Sequence, residues 1–337
     1  MAVLRVGVIG VGHLGRHHAR VYSQLPKVEL VGVNDLVPEK TREIAGEYKT
    51  EEFCVQSELL QEIQAVSIAT STSSHYEVAR QALEAGVHVL IEKPLCSSYP
   101  QAEELVNLAH KKNLILQVGH IERFNPAVRA LSQNIADVKP MFIEAHRLAA
   151  FTERGTDVAV VLDLMTHDLD LITSWVDFEL VDIQAAGISV VTDSDDIANA
   201  RLTFANSCVA NITASRVSAK PMRKIRLFQK ELYASLDLAE KSLELYRLLS
   251  ADQLKGTHSS GFSPKFQLPV EKLGKTIVYE KPEVNNQDML TLQLSAFVES
   301  VQTGSRPLVD GKQGAKVVKI ANQIEEQIRA QRAKVRL

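Results

Sequence analysis

Val3-Leu4-Arg5-Val6-Gly7-Val8-Ile9-Gly10-Val11-Gly12-His13-Leu14-Gly15 opens the chain and decides how its first half is read. The apolar, β-branched run up to Ile9 predicts a strand buried on both faces. The glycines that follow have the spacing of a dinucleotide-binding turn that also holds His13 and Leu14. Gly10 permits the tight turn, Gly12 lets backbone approach a pyrophosphate, and Gly15 lets the next helix pack close to the strand. A second strand, Val28 to Val33, runs into Asn34-Asp35. An acid at this distance accepts hydrogen bonds from an adenosine ribose hydroxyl. A glycine-rich turn by itself can bind nothing. With a strand before it, a helix after it and Asp35 in place, it implies NAD or NADP. A carboxylate at the ribose repels a 2′-phosphate, and Lys40 and Arg42 lie along the next helix, not directly after Asp35. NAD is therefore expected over NADP.

From this start to about residue 122, short apolar runs alternate with helix-like stretches. Ala65 to Thr70, His88 to Glu92 and Leu114 to Val118 read as strands. Tyr76 to Gly86 and Tyr99 to Lys112 space their apolar residues three or four apart, and Gly86 stands where a helix-terminating glycine would. Such repeats build a doubly wound parallel sheet, whose ligands gather at the carboxyl ends of the strands. Gly10, Asp35, Thr70 and Glu92 then share one edge.

The second half changes period. Asp195 to Phe204 and Cys208 to Arg216 alternate polar with apolar. Further strands are expected at 141–148, 179–191, 222–228, 232–238 and 243–246. Period-two segments without intervening helices predict a large, mostly antiparallel sheet with one open face, which suits subunit pairing. Ser250 to Thr276, carrying Gly256, Ser259, Ser260, Gly261 and Pro264, reads as a long loop. Two helices, about 287–303 and 310–332, close the chain. The expected fold is α/β in the first half and α+β in the second.

Composition excludes more than it assigns. At 337 residues, 45% hydrophobic and 23% charged, the chain is long enough for two ordinary cores. A formal charge of -3 gives no electrostatic reason to expect nucleic acid or a membrane surface. No apolar run reaches membrane-spanning length, and the start reads as a strand, not a signal peptide. Cys54, Cys96 and Cys208 are odd in number and widely spaced. They are expected to be reduced thiols of a cytoplasmic protein, with neither a disulfide nor a zinc site.

Three further clusters carry chemistry. Glu92-Lys93-Pro94 places a lysine at the end of a core strand, where packing rarely puts one; the bland reading is an exposed loop lysine. In Asp163-Leu164-Met165-Thr166-His167-Asp168, helical winding would set Asp163 and His167 on one face. A histidine beside a carboxylate suits proton transfer near neutrality. A capping Asp and a surface His explain the same spacing, and one histidine does not make a zinc motif. Gly119-His120-Ile121-Glu122-Arg123-Phe124-Asn125-Pro126 lies at the junction of the halves. Arg123 there can bind a phosphate or carboxylate, or form a hinge pair with Glu122.

The order of these motifs resembles the Gfo/Idh/MocA oxidoreductase family over essentially the whole length. The resemblance implies a Rossmann domain at residues 1–122 and a substrate-binding, oligomerising domain at 123–337 that forms dimers or tetramers. It implies hydride transfer between NAD and a secondary hydroxyl of a sugar or polyol. Carried over by motif, Lys93, Asp163 and His167 form the catalytic trio; together with Arg123 and Asn125 of the junction cluster they are the expected substrate set. Thr70, His75, Glu92 and Lys93 join the glycine turn and Asp35 as the cofactor set. One departure stands out: many members carry a glycine pair where this chain has Val160-Val161. The segments at 119–126, 162–170 and 214–218 are most similar to members acting on a nucleotide sugar, UDP-N-acetylglucosamine, in lipid A biosynthesis. Lys220 to Arg223 and Lys224 are a candidate diphosphate neighbour or a charged strand edge. Either Lys93 or His167 can be the base. A dehydrogenase of a free sugar or inositol-like polyol, or a cofactor-bound sensor without turnover, uses the same body.

Overall fold

The computed structural model describes residues 3–152, 158–257 and 266–335. The chain forms two compact units: Met1–Arg123 with Asp288–Asn322, and Phe124–Gln287 with Gln323–Leu337. The stretch Asp288–Asn322 thus packs with the N-terminal half, although reading along the sequence assigned everything after residue 122 to the second domain.

In the first unit, β1 (Leu4–Ile9), α1 (His13–Tyr22), β2 (Val28–Asn34), α2 (Pro38–Tyr48), β3 (Glu51–Glu52), α3 (Gln56–Glu62), β4 (Ala65–Ile68), α4 (Thr72–Glu84), β5 (His88–Glu92), α5 (Tyr99–Lys111) and β6 (Leu116–Gly119) alternate as expected. The six strands are parallel in the order β3-β2-β1-β4-β5-β6. Every residue of β4 is buried, because helices cover both faces. Gly86, with φ +82°, follows α4 as a left-handed stop. A single 3-10 turn, Ile121–Phe124, leads into the second unit.

There α6 (Pro126–Asn134), β7 (Phe142–Leu148), a π-helical turn Val161–Met165 and α7 (Thr166–Trp175) come first. The strands β8 (Leu180–Ile188), β9 (Ile197–Phe204), β10 (Val209–Ser215), β11 (Met222–Gln229), β12 (Leu232–Asp237) and β13 (Ser242–Ser250) follow. The long loop expected at 250–276 is instead α8 (Ala251–Thr257), β14 (Phe266–Val270) and the start of β15 (Lys275–Glu280). β15 pairs with β13 and β14 with β15, long-range partners that local composition does not reveal. Ser259, Ser260, Gly261 and Pro264 lie outside the described residues. The nine strands run β14-β15-β13-β12-β11-β7-β10-β9-β8, antiparallel except at β7–β10. Alternation is clean: Ile225 and Leu227 of β11 are buried, while Lys224, Arg226 and Phe228 share the opposite face. Two helices complete the chain, α9 (Met289–Thr303) and α10 (Gly311–Val335). Phe297 of α9 joins the core cluster of β1 and α1, and Val318 of α10 joins that of α4 and α5. No helix among the described residues is long and apolar enough to cross a membrane.

Candidate functional site

The carboxyl edge of the parallel sheet gathers the motifs of the first unit. After β1, Gly10 has φ +84°, and a Cβ there would come within 2.8 Å of the Ala69 and Thr70 backbone. A Cβ on Gly15 would lie 1.8 Å from the Gly10 carbonyl oxygen, so these glycines are demanded by the turn itself. Gly12 differs. It caps α1, and a Cβ on it would meet no atom within 4 Å. The bare backbone at the positive end of α1 therefore faces open space, which fits a pyrophosphate. Asp35 is held from two sides: Oδ2 accepts from Val11 N–H at 2.8 Å and Oδ1 from Val37 N–H at 3.0 Å. It lines a cavity of about 200 Å³ with Thr41, Arg42, Glu52 and Cys54, at the place an adenosine ribose requires. The residues present fit the dinucleotide. Arg42, set aside on sequence distance, faces the same cavity as Asp35.

Farther along the edge, His75 is buried with Nδ1 2.8 Å from the Pro94 carbonyl oxygen and Nε2 3.2 Å from that of Thr70. It ties the loop after β4 to the Glu92-Lys93-Pro94 turn. Burial holds its pKa below the ordinary histidine value against the pull of both carbonyls. Glu92, at the end of β5, is buried against Gly119, where a Cβ would fall 2.5 Å from Oε1. Gln293 Nε2 of α9 donates to Oε1 at 3.3 Å, and His18 Nε2 stands 3.2 Å away. Burial raises the pKa of Glu92, but His18, Lys93 and Gln293 outweigh it and the net shift is downward. The partly buried Lys93 follows at once, joined to Pro94 by a cis peptide bond. His18 carries a faint sequence signal, one turn past Gly15 on the buried side of α1. Gln293 carries none, because a distant helix delivers it.

In the second unit, the segment of Asp163 and His167 is helical but not a uniform α-helix. Asp163 sits in the π turn Val161–Met165, and His167 in the first turn of α7. A π turn holds one residue more than an α turn and recurs at functional sites. Val160 and Val161 are fully buried, so the apolar pair fills core where a glycine pair would leave space. The residue after His167 is fixed firmly: Asp168 accepts from Arg147 Nε and a terminal guanidinium nitrogen at 3.0 and 2.9 Å, both side chains buried. Arg147 gave no sequence signal, being one of several polar residues in β7, beside Glu144 and His146.

The 119–126 cluster divides. Arg123 lies in the 3-10 turn, partly buried. Asn125 is buried: its carbonyl caps α6 by accepting from Ala127 N–H at 3.0 Å, and its amide donates to the Leu238 carbonyl at 3.0 Å. The strand-edge reading of Lys224 fails, since β11 lies inside the sheet between β12 and β7. Lys224 Nζ pairs with Asp237 at 3.2 Å, and Arg226 with Glu144 at 3.3 Å.

Comparison with known proteins agrees with this geometry. The family model for the NAD-binding Rossmann fold of the Gfo/Idh/MocA oxidoreductases matches residues 4–120, and that for their C-terminal domain matches 138–231. UDP-N-acetylglucosamine 3-dehydrogenase from Acidithiobacillus ferrooxidans is 37% identical over 330 residues, covering 98% of this chain and 99% of that protein. A solved structure of that enzyme superposes with a TM-score of 0.86 at 36% identity, covering 98% of this chain and 99% of that one. The scyllo-inositol 2-dehydrogenase (NAD(+)) of Bacillus subtilis is 28% identical over 200 residues, 55% of this chain and 57% of that protein. With the glycine turn, Asp35 and the buried strand-end Glu92 in place, the chain belongs to the Gfo/Idh/MocA family of NAD-binding oxidoreductases.

Proposed function

We propose that this protein oxidises C3 of UDP-N-acetylglucosamine to the ketone. The observation carrying this is end-to-end similarity to a UDP-N-acetylglucosamine 3-dehydrogenase, against partial coverage of the inositol enzyme. NAD, when bound, supplies the hydride acceptor. The chain's residues handle the remaining proton and the charge. His167 takes the hydroxyl proton, since an imidazole near neutrality is a competent base, and Asp163 orients it. Lys93, an ammonium beside the Glu92 carboxylate, steadies the oxygen as it gains negative charge. Arg123 is the residue we assign to the diphosphate, because its planar guanidinium matches phosphate oxygens and it stands partly buried in the 3-10 turn at Ile121–Phe124.

The domain roles follow: residues 1–122 bind the cofactor, aided by the stretch Asp288–Asn322, while the second unit supplies Asp163 and His167 from its π turn and α7 and a subunit interface from its nine-stranded sheet. We place the reaction in lipid A precursor supply in the cytoplasm, which suits the free thiols of Cys54, Cys96 and Cys208. Turnover is tested by NADH absorbance with UDP-N-acetylglucosamine, other UDP-sugars and free inositols. Selective reduction of NAD with UDP-N-acetylglucosamine is expected. Turnover confined to inositols would move the protein to the polyol branch. NAD binding without turnover on any of them would make it a sensor.

A further inference from the structure

An arginine beside the ribose-binding carboxylate is the equipment of an NADP site, because a guanidinium matches a 2′-phosphate in charge and shape. This chain has that arginine. Arg42 lines the 200 Å³ cavity together with Asp35. Glu52 faces the same cavity, its Oε2 3.6 Å from Arg42 Nε.

The backbone under both side chains is firmly held. Glu52 pairs with Val33 in the sheet, and the next residue, Phe53, donates its N–H to the Val33 carbonyl at 3.0 Å. Asn34 Nδ2 donates to the Phe53 carbonyl at 2.7 Å, locking that segment to the end of β2. On the other wall, Asp35 N–H donates to Thr41 Oγ1 at 3.0 Å, one residue before Arg42. Two carboxylates against one guanidinium leave the cavity net negative. Both members of the Arg42–Glu52 pair are substantially exposed, so their attraction adds little to stability. Its weight falls on what the cavity will accept.

We propose that Glu52 is a second specificity-determining residue for the cofactor. By engaging Arg42 and adding a negative charge, it turns the cavity against the 2′-phosphate of NADP and leaves Asp35 to receive the ribose hydroxyl of NAD. The proposal rests on the NAD reading. It also explains NAD preference in a cavity that holds an arginine, which distance along the sequence did not.

The test is equilibrium binding of NADH and NADPH by nicotinamide fluorescence to the full-length wild type, Glu52→Gln, Arg42→Ala and the double variant. A second readout needs no nicotinamide signal. Cys54 is exposed in this cavity while Cys96 and Cys208 are buried, so cofactor protection of Cys54 from iodoacetamide reports occupancy. Glu52→Gln is expected to tighten NADPH about fivefold and move NADH by less than about twofold. Adding Arg42→Ala should abolish most of the NADPH gain. A wild type preferring NADPH would overturn the NAD reading itself. A wild type preferring NADH whose ratio is unmoved by Glu52→Gln would overturn only the proposal. So would a gain that survives Arg42→Ala, or an equal change for both cofactors.

Discussion

At the scale of single residues, the proposed chemistry rests on Lys93 and His167. Lys93→Ala is expected to keep NADH affinity while the chemical step slows by at least ~100-fold, the scale of a lost charge-stabilising or proton-transfer group. Near-normal single-turnover rates would return Lys93 to the role of a loop lysine. For His167→Asn, folding and cofactor binding should persist while turnover falls and the acid limb of the pH-rate profile disappears. An unchanged profile with a lower melting temperature would mean that His167 only pins α7. His75 gives a prediction about stability. Burial lowers its pKa in the folded state, so the fold binds fewer protons than the unfolded chain below about 6.5. Its contribution is complete above that pH and is lost on acidification. His88, lowered by burial, acts in the same window, whereas Glu92, lowered on balance, loses its contribution only at pH values below the ordinary glutamate range. Melting temperature should fall between about pH 6.5 and 5, and less steeply in His75→Gln. A temperature that held or rose on acidification would count against this account.

At the scale of elements, the β1–turn–α1 unit contains glycines with different jobs, and substitution separates them. Gly15→Ala drives a Cβ onto the Gly10 carbonyl and should cost at least about 1–3 kcal/mol in urea unfolding, as overpacking does. Gly12→Ala meets open space and should stay within about 0.5 kcal/mol of wild type. It should nevertheless weaken NADH binding severely, because the new methyl occupies the space where backbone must meet the pyrophosphate. Equal loss of stability in both variants would deny Gly12 its binding role. The π turn at Asp163 is an element of the same kind. It opens on the buried Val160 and Val161 and is followed by the buried Arg147–Asp168 pair.

At the scale of the whole molecule, the nine-stranded sheet carries a ladder of aromatics opposite its buried alternating positions. Phe142, Phe228, Tyr233, Tyr246 and Tyr279 sit on five adjacent strands, with successive centroids 6.0, 4.8, 5.2 and 4.9 Å apart. Stacked rings left partly exposed are the material of a subunit interface. Light scattering should find a dimer or tetramer, and Tyr246→Glu should shift it toward monomer with NADH binding retained. A monomeric wild type would remove the interface reading.

The sequence determined the elements whose signals are local. The β1 run, the glycine turn, Asp35 and the alternating strands after residue 195 were legible because period and spacing follow from backbone geometry alone. The same holds for Gly86, whose left-handed φ ends α4 as its position suggested. What lay beyond local signal was decided by tertiary structure. Pairing of β15 with β13, and of β14 with β15, set strands where a long loop was expected. The fold returned α9 to the first unit, bringing Gln293 to Glu92 across about 200 residues of chain. It also set Arg42 beside Asp35, because seven residues along the chain shrink to one cavity wall when a strand turns into a helix. Spacing names the groups that can do chemistry. Which of them meet, and which are already engaged by a neighbour, depends on contacts that only the packed chain makes.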